Sequence, residues 1–190
     1  GRIPSAGLRF LQATGWIKYF PELMALIGCK QDPEWHPEGD VWNHTLHCMD
    51  AFASERTGDD LEDLVVGLAV LCHDFGKPST TEFSENRLRS IGHAKAGIDP
   101  TIAFINRLTD HKHLVDEVTP LVDEHLRPQE FYAAGAGDNA VRRLARKVKR
   151  IDRLVRVSRA DMQGRPPIPF TDFPEGNWLL EKAMDLDVKD

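Results

Sequence analysis

The chain has 190 residues, with 24 Lys and Arg against 30 Asp and Glu for a formal net charge of −6, so its surface as a whole is not built to hold a polyanion and any RNA contact needs a local basic patch. With 41% apolar and 28% charged residues it has the balance of one globular domain that buries its own core, and no apolar run approaches the ~20 residues of a membrane span. Cys29, Cys48 and Cys72 form no Cys-x-x-Cys pair and read as reduced thiols; with no signal-peptide pattern, that points to a cytoplasmic protein. The leading Gly1, in place of Met, suggests a trimmed tag on a piece of a longer chain.

Helical periodicity runs through almost the whole chain. Residues 5–15 carry Leu8 and Leu11 at helical spacing and stop at Gly15, and Pro21 opens a short helix with Leu23, Met24, Leu26 and Ile27. Residues 31–39 hold Pro33, Pro37 and Gly39 and read as a loop. Asp40 is the expected N-cap of a helix from Val41 to about Arg56, with His44, Cys48, Ala51 and Phe52 on its inward face. Asp59 or Asp60 caps the next helix. It is apolar on all sides from Leu64 to Cys72, hence central, and ends at His73 and Asp74, with Gly76 and Pro78 as terminators.

Residues 79–91 are polar and irregular. Gly92 and His93 open a helix to about Arg107, disturbed at Pro100. A helix over 113–126, bent at Pro120, extends its apolar stripe to His125. The longest predicted helix spans Asn139 to about Gln163, with Asp161 on its core-facing side. After a Pro-rich stretch, a last amphipathic helix carries Trp178, Leu179, Ala183 and Leu186. No strand and no repeat is expected, and the chain divides into a helical extension over 1–30 and a main domain over 31–190.

His44, His73, Asp74, His93, His125 and Asp161 all fall where a helix can point them inward. A lone His on an apolar face is ordinarily a satisfied core residue. Here that reading has to hold at four histidines and also leave Asp74 and Asp161 in positions where an unpaired carboxylate is costly. A shared divalent cation removes all of these difficulties together. His44, His73, Asp74 and Asp161 suit one ion, and His93 and His125 a second, with Asp74 between them. Imidazole-rich sites favour late transition ions, but Ni, Mn, Co, Fe and Mg are not told apart by residue type. Cations of this kind make a hydrolytic nucleophile available at neutral pH.

The order His44, His73-Asp74, Asp161 on a helical frame, with His-Asp-x-Gly-Lys at 73–77, resembles the HD superfamily of metal-dependent phosphohydrolases. The additional His93 and His125 resemble its two-metal members. The stretches Pro33-Glu34-Trp35-His36-Pro37-Glu38, Asn43-His44-Thr45-Leu46, Gly92-His93-Ala94-Lys95-Ala96-Gly97 and Ala160-Asp161-Met162-Gln163-Gly164-Arg165 resemble the C-terminal HD domain of bacterial CCA-adding tRNA nucleotidyltransferases. So does Asp172 to Leu179. The resemblance implies an all-α HD-domain helical bundle preceded by the tail of a helical neck. It also implies hydrolysis of 2′,3′-cyclic phosphodiesters, 2′-nucleotides or other small phosphoesters on nucleotides or RNA ends. The family's nucleotidyltransferase head is missing, so the chain is not expected to add nucleotides.

Lys77 and Arg165 are the candidate phosphate-binding and charge-stabilising residues beside Asp74, and His36 a candidate for the mouth of the site. Lys77 is equally well read as a helix-end cation satisfying carbonyls. Arg142, Arg143, Arg146, Lys147, Lys149, Arg150, Arg153, Arg156 and Arg159 lie along the expected 139–163 helix, read either as a solvated face or as a stripe for tRNA phosphates. The rival functions are a tRNA-binding module without chemistry and another HD activity on nucleoside 5′-phosphates or alarmones.

Overall fold

The computed structural model describes residues 1–188; Lys189 and Asp190, the end of the expected 31–190 unit, lie outside the described residues. The fold is all-α apart from one small hairpin. Helix α1 (Pro4–Ala13) is followed by a 3₁₀ turn (Trp16–Tyr19) and by α2 (Pro21–Met24), each α-helix opened by a Pro whose missing N–H costs nothing there. Leu26 and Ile27 fall beyond α2, in a turn. Helix α3 (Val41–Ser54) begins at Asp40, whose carboxylate accepts from the Asn43 backbone N–H at 2.9 Å and from Gly28 N–H at 2.7 Å. Helix α4 (Asp60–Cys72) is capped by Asp59, which accepts from the N–H of Leu61 and Glu62.

Helices α3, α4, α8 (Lys112–Glu124) and α11 (Ile151–Gln163) pack on one another around a core that includes Leu46, Val65, Val66, Val118, Leu121 and Leu154. Helix α1 lies against α3, tied by the Ser5 hydroxyl donating to Asp50 at 2.6 Å. Helix α12 (Pro174–Asp185) closes the bundle against α9 (Arg127–Ala134), α10 (Asp138–Val148) and α11. Among the described residues no helix is long and apolar enough to cross a membrane.

Three expectations are corrected. The single helix over 139–163 is two: α10 and α11 meet at Lys149, whose φ of +62° lies in the left-handed region and turns the chain. Neither Gly nor Pro marks this break. Residues 79–91 are not wholly irregular. After a short α5 (Lys77–Thr80), β1 (Glu82–Ser84) pairs antiparallel with β2 (Arg87–Arg89) through a two-residue turn at Glu85 and Asn86, both at positive φ. The helix expected from His93 to Arg107 is divided at Gly97 into α6 (His93–Ala96) and α7 (Ile98–Leu108). Pro100 does not disturb it, because it lies in the first turn of α7, where a backbone N–H has no intrahelical partner.

Candidate metal centre

Each of the six inward residues stands at a point the fold controls. His44 is in the first turns of α3 and Asp161 near the end of α11. His73 caps α4 and His125 caps α8, with Asp74 one residue beyond α4. His93 opens α6, after Gly92 at φ +78°. All six are at most 9% exposed.

Three of the histidines share one device. Nδ1–H of His73 donates to the Val70 carbonyl, that of His93 to Ser90 and that of His125 to Val122, each at 2.7 Å and each to the residue three earlier. A carbonyl can only accept, so Nδ1 carries the proton and Nε2 keeps a lone pair. His44 reaches the same state differently. Its Nδ1 lies 2.8 Å from Glu38 Oε1 and 3.1 Å from the Gly164 carbonyl, both acceptors.

The four Nε2 atoms then meet in pairs, His44 with His73 at 3.3 Å and His93 with His125 at 3.3 Å. Two lone pairs facing at that distance repel unless a positive charge lies between them. Asp74 links the pairs: Oδ2 is 3.2 Å from His73 Nε2 and Oδ1 is 3.4 Å from His93 Nε2. Neither oxygen has an aligned hydrogen-bond partner, although Lys77 Nζ stands 2.8 Å from Oδ2. A carboxylate this buried is normally satisfied. Asp161 Oδ1 completes the first pair, 3.1 Å from His44 Nε2, and receives the Arg165 guanidinium at 2.9 Å.

The electrostatics keep the His93–His125 pair neutral. Burial, reinforced by the neighbouring His73 and His93, pushes the His125 imidazole down to about 3. Burial also lowers His93 despite Asp74 beside it. At His44 burial likewise opposes a charge, but Cys48, Asp161 and Glu38 outweigh it and the balance lies well above the ordinary imidazole value. His93 and His125 therefore stay neutral with their Nε2 lone pairs available, whereas the surroundings of His44 favour positive charge. The donors fit a divalent ion: neutral imidazole nitrogens and carboxylates in two groups, His44, His73 and Asp161 in one, Asp74, His93 and His125 in the other, each group's donor atoms within 4.8 Å of one another.

Three loop residues, Glu38, His36 and Gln31, support the centre, and of these only His36 is singled out by the sequence. Glu38 is in a loop, and its carboxyl is held at about 2: burial opposes ionisation, and the bonds from His36 and His44 overcome it. His36 lies along the cavity as expected, yet its Nδ1 faces Glu38 at 2.8 Å, so it also supports His44 from behind. Gln31 Oε1 accepts from Lys77 Nζ at 2.7 Å, which fixes that ammonium beside Asp74. Lys77 is thus not the helix-end cation of the alternative reading. Cys48 belongs to the His44 group by proximity, but its sulfur is 3.3 Å from Nε2 and 3.8 Å from Nδ1. Such similar distances put it over the ring face, off the lone-pair axis, where it packs rather than ligates. The Gly164 backbone closes over it; a Cβ there would fall 2.2 Å from the sulfur.

Gly76 sets the spacing of the two groups. A Cβ at that position would lie 2.0 Å from the His93 carbonyl oxygen, so main chain meets main chain where α5 passes α6.

The basic residues of α10 and α11 are largely spent on the protein itself. Arg153 pairs with Glu62 and Glu117, Arg150 with Glu62 and Asp152, Arg156 with Asp63, and Lys147 with Asp123 and Glu124. Split at Lys149 and neutralised this way, the segment does not form the continuous stripe that a single helix would present.

The HD domain family model matches residues 41–157, more than half of the chain, and the protein belongs to the HD-domain family. That is a family of metal-dependent hydrolases, and the His/Asp cluster is a centre able to hold the divalent ion such chemistry uses. Asp161 lies just past the matched segment and enters the centre through the fold.

Proposed function

We propose that this HD domain hydrolyses small phosphoesters, with 2′,3′-cyclic and 2′-phosphorylated nucleotides, or such ends on RNA, as its substrates. The observation that carries the reading is the convergence of two facing Nε2 pairs and the buried Asp74 between them on a cavity that Lys77 and Arg165 also line. His44, His73, Asp74 and Asp161 would hold one divalent ion, and Asp74, His93 and His125 a second. Such ions supply Lewis acidity toward a phosphoryl oxygen and a nucleophile at neutral pH.

The chain's own groups do the positioning. The Nδ1–H bonds fix the ring orientation of His73, His93 and His125, so that each presents Nε2 to the centre. Lys77, gripped by Asp74 and Gln31, presents a preset ammonium to non-bridging phosphoryl oxygens, where charge grows in the transition state. Arg165 faces the same cavity with its Nε buried and unpartnered, free for an anionic ligand. The resemblance to the HD domain of CCA-adding enzymes supports the choice of 2′-phosphoesters.

The test pairs metal analysis with mutation. Purified protein is expected to contain a bound divalent transition metal and to hydrolyse 2′,3′-cyclic AMP. His73→Ala with Asp74→Ala should lose both while keeping its helical circular dichroism. A double variant as active as the wild type sinks the reading.

A further inference from the structure

The cavity at the metal centre has a volume of about 220 Å³, and its lining extends beyond the phosphate-binding cations to Trp35, Leu88 and Leu126. It adjoins an outer depression of about 440 Å³ that shares Trp35, Leu88, Ser90, His93 and Leu126. The inner part alone is below the roughly 300 Å³ at which ligand pockets begin, so a whole ligand has to reach into the outer part. Trp35 is at the junction and is 54% exposed. Trp16 is similarly exposed at 61% but does not line this cavity, so exposure alone does not distinguish Trp35.

Both walls of the slot are tied to the centre. On one side the turn around Trp35 is closed by Trp35 N–H and His36 N–H donating to the Asp32 carbonyl at 3.2 and 2.9 Å. The adjacent His36 bonds Glu38, which in turn holds His44. On the other side Leu88 is in β2, and Ser90, just past that strand, bonds Thr81 through its hydroxyl at 2.7 Å and accepts from His93 through its carbonyl. The main chain on both walls is therefore tied to the ligands. An exposed indole lining the same slot as Leu88 and Leu126 is a platform for a flat heterocycle. The inner end, with Lys77 and the unpartnered Arg165 Nε, takes an anion.

We infer that Trp35 stacks the base of a bound nucleotide and thereby selects nucleotides over base-free phosphoesters. The inference rests on the phosphoester lying at Lys77 and Arg165, as proposed above, but it fails separately. Calorimetric titration of the metal-loaded protein with 2′-AMP and with ribose 5-phosphate tests it without turnover. The wild type is expected to bind 2′-AMP about tenfold more tightly or better. Trp35→Ala should bring the two ligands within about twofold of each other, and Trp35→Phe should keep most of the preference. A wild type that binds both ligands alike, or a Trp35→Ala protein that weakens on both alike, overturns the role of Trp35 and leaves the phosphoester site standing. A wild type that binds neither overturns both.

Discussion

Helix α11 carries buried charge at two places, and they are treated in opposite ways. At Arg153 every charge has its complement: the guanidinium reaches Glu62 through two nitrogens and Glu117 through a third, and Arg150 joins from the side. At Asp161, eight residues further along, the carboxylate joins the buried cluster in which imidazole Nε2 atoms face one another at 3.3 Å across Asp74. A buried charge whose partners are all present belongs to the architecture. Imidazole nitrogens that face one another mark a place where something else binds. The same contrast separates Lys147, Lys149, Arg150, Arg153 and Arg156, which are paired with acids of the protein itself, from Lys77 and Arg165, which line the cavity.

Breaking the cluster at the centre gives the largest expected effect. Asp74→Ala should weaken metal binding by about a thousandfold, roughly 4 kcal/mol, by competition titration. The metal-free variant should also melt several degrees lower than the metal-free wild type, since the buried Lys77 ammonium loses its carboxylate partner. An unchanged metal-free melting point shows that the Lys77–Asp74 pair adds nothing to stability. Breaking the Arg153 cluster acts on stability alone. Arg153→Met should cost about 1–2 kcal/mol in chemical denaturation, below the full buried-pair penalty because Glu62 keeps Arg150, Glu117 keeps Lys149 and both acids keep some water contact, and should leave metal affinity within twofold.

A smaller effect probes the edge of that network. Burial opposes ionisation of Asp63, but the backbone N–H groups of Thr57 and Gly58 and the Arg156 guanidinium outweigh it and hold the carboxyl at about 2. A depressed folded value means the stabilisation is present above about pH 4 and is lost as pH falls toward 2. Asp63→Asn should remove about 1 kcal/mol at neutral pH, after discounting for solvent screening, and flatten the acid limb of the stability curve. An unchanged acid limb removes Asp63 from the network's account.

Much of this was legible in the sequence because helices announce their ends. Asp40 and Asp59 mark the starts of α3 and α4, and His73, His93 and His125 occupy helix termini that a period-3.6 pattern locates. What stayed hidden has no period. Glu38, Gln31 and Trp35 are loop residues whose meaning comes from what folds over them. The break at Lys149 carries no Gly or Pro, so tertiary packing imposes a backbone state that local preference disfavours. The hairpin is not legible in the sequence because three-residue strands are too short for alternation to register, and the Glu85–Asn86 turn is a weak cue. Gly97 is the breaker between α6 and α7, whereas Pro100 is absorbed by a first helical turn.

Gly76 has a consequence for anyone who would alter this centre. The gap between its two halves is measured by bare main chain at a point that binds nothing, where a single methyl group has nowhere to go. Retuning the site for a different pair of ions by exchanging ligands would leave that ruler untouched. Position 76 is where the ruler is cut.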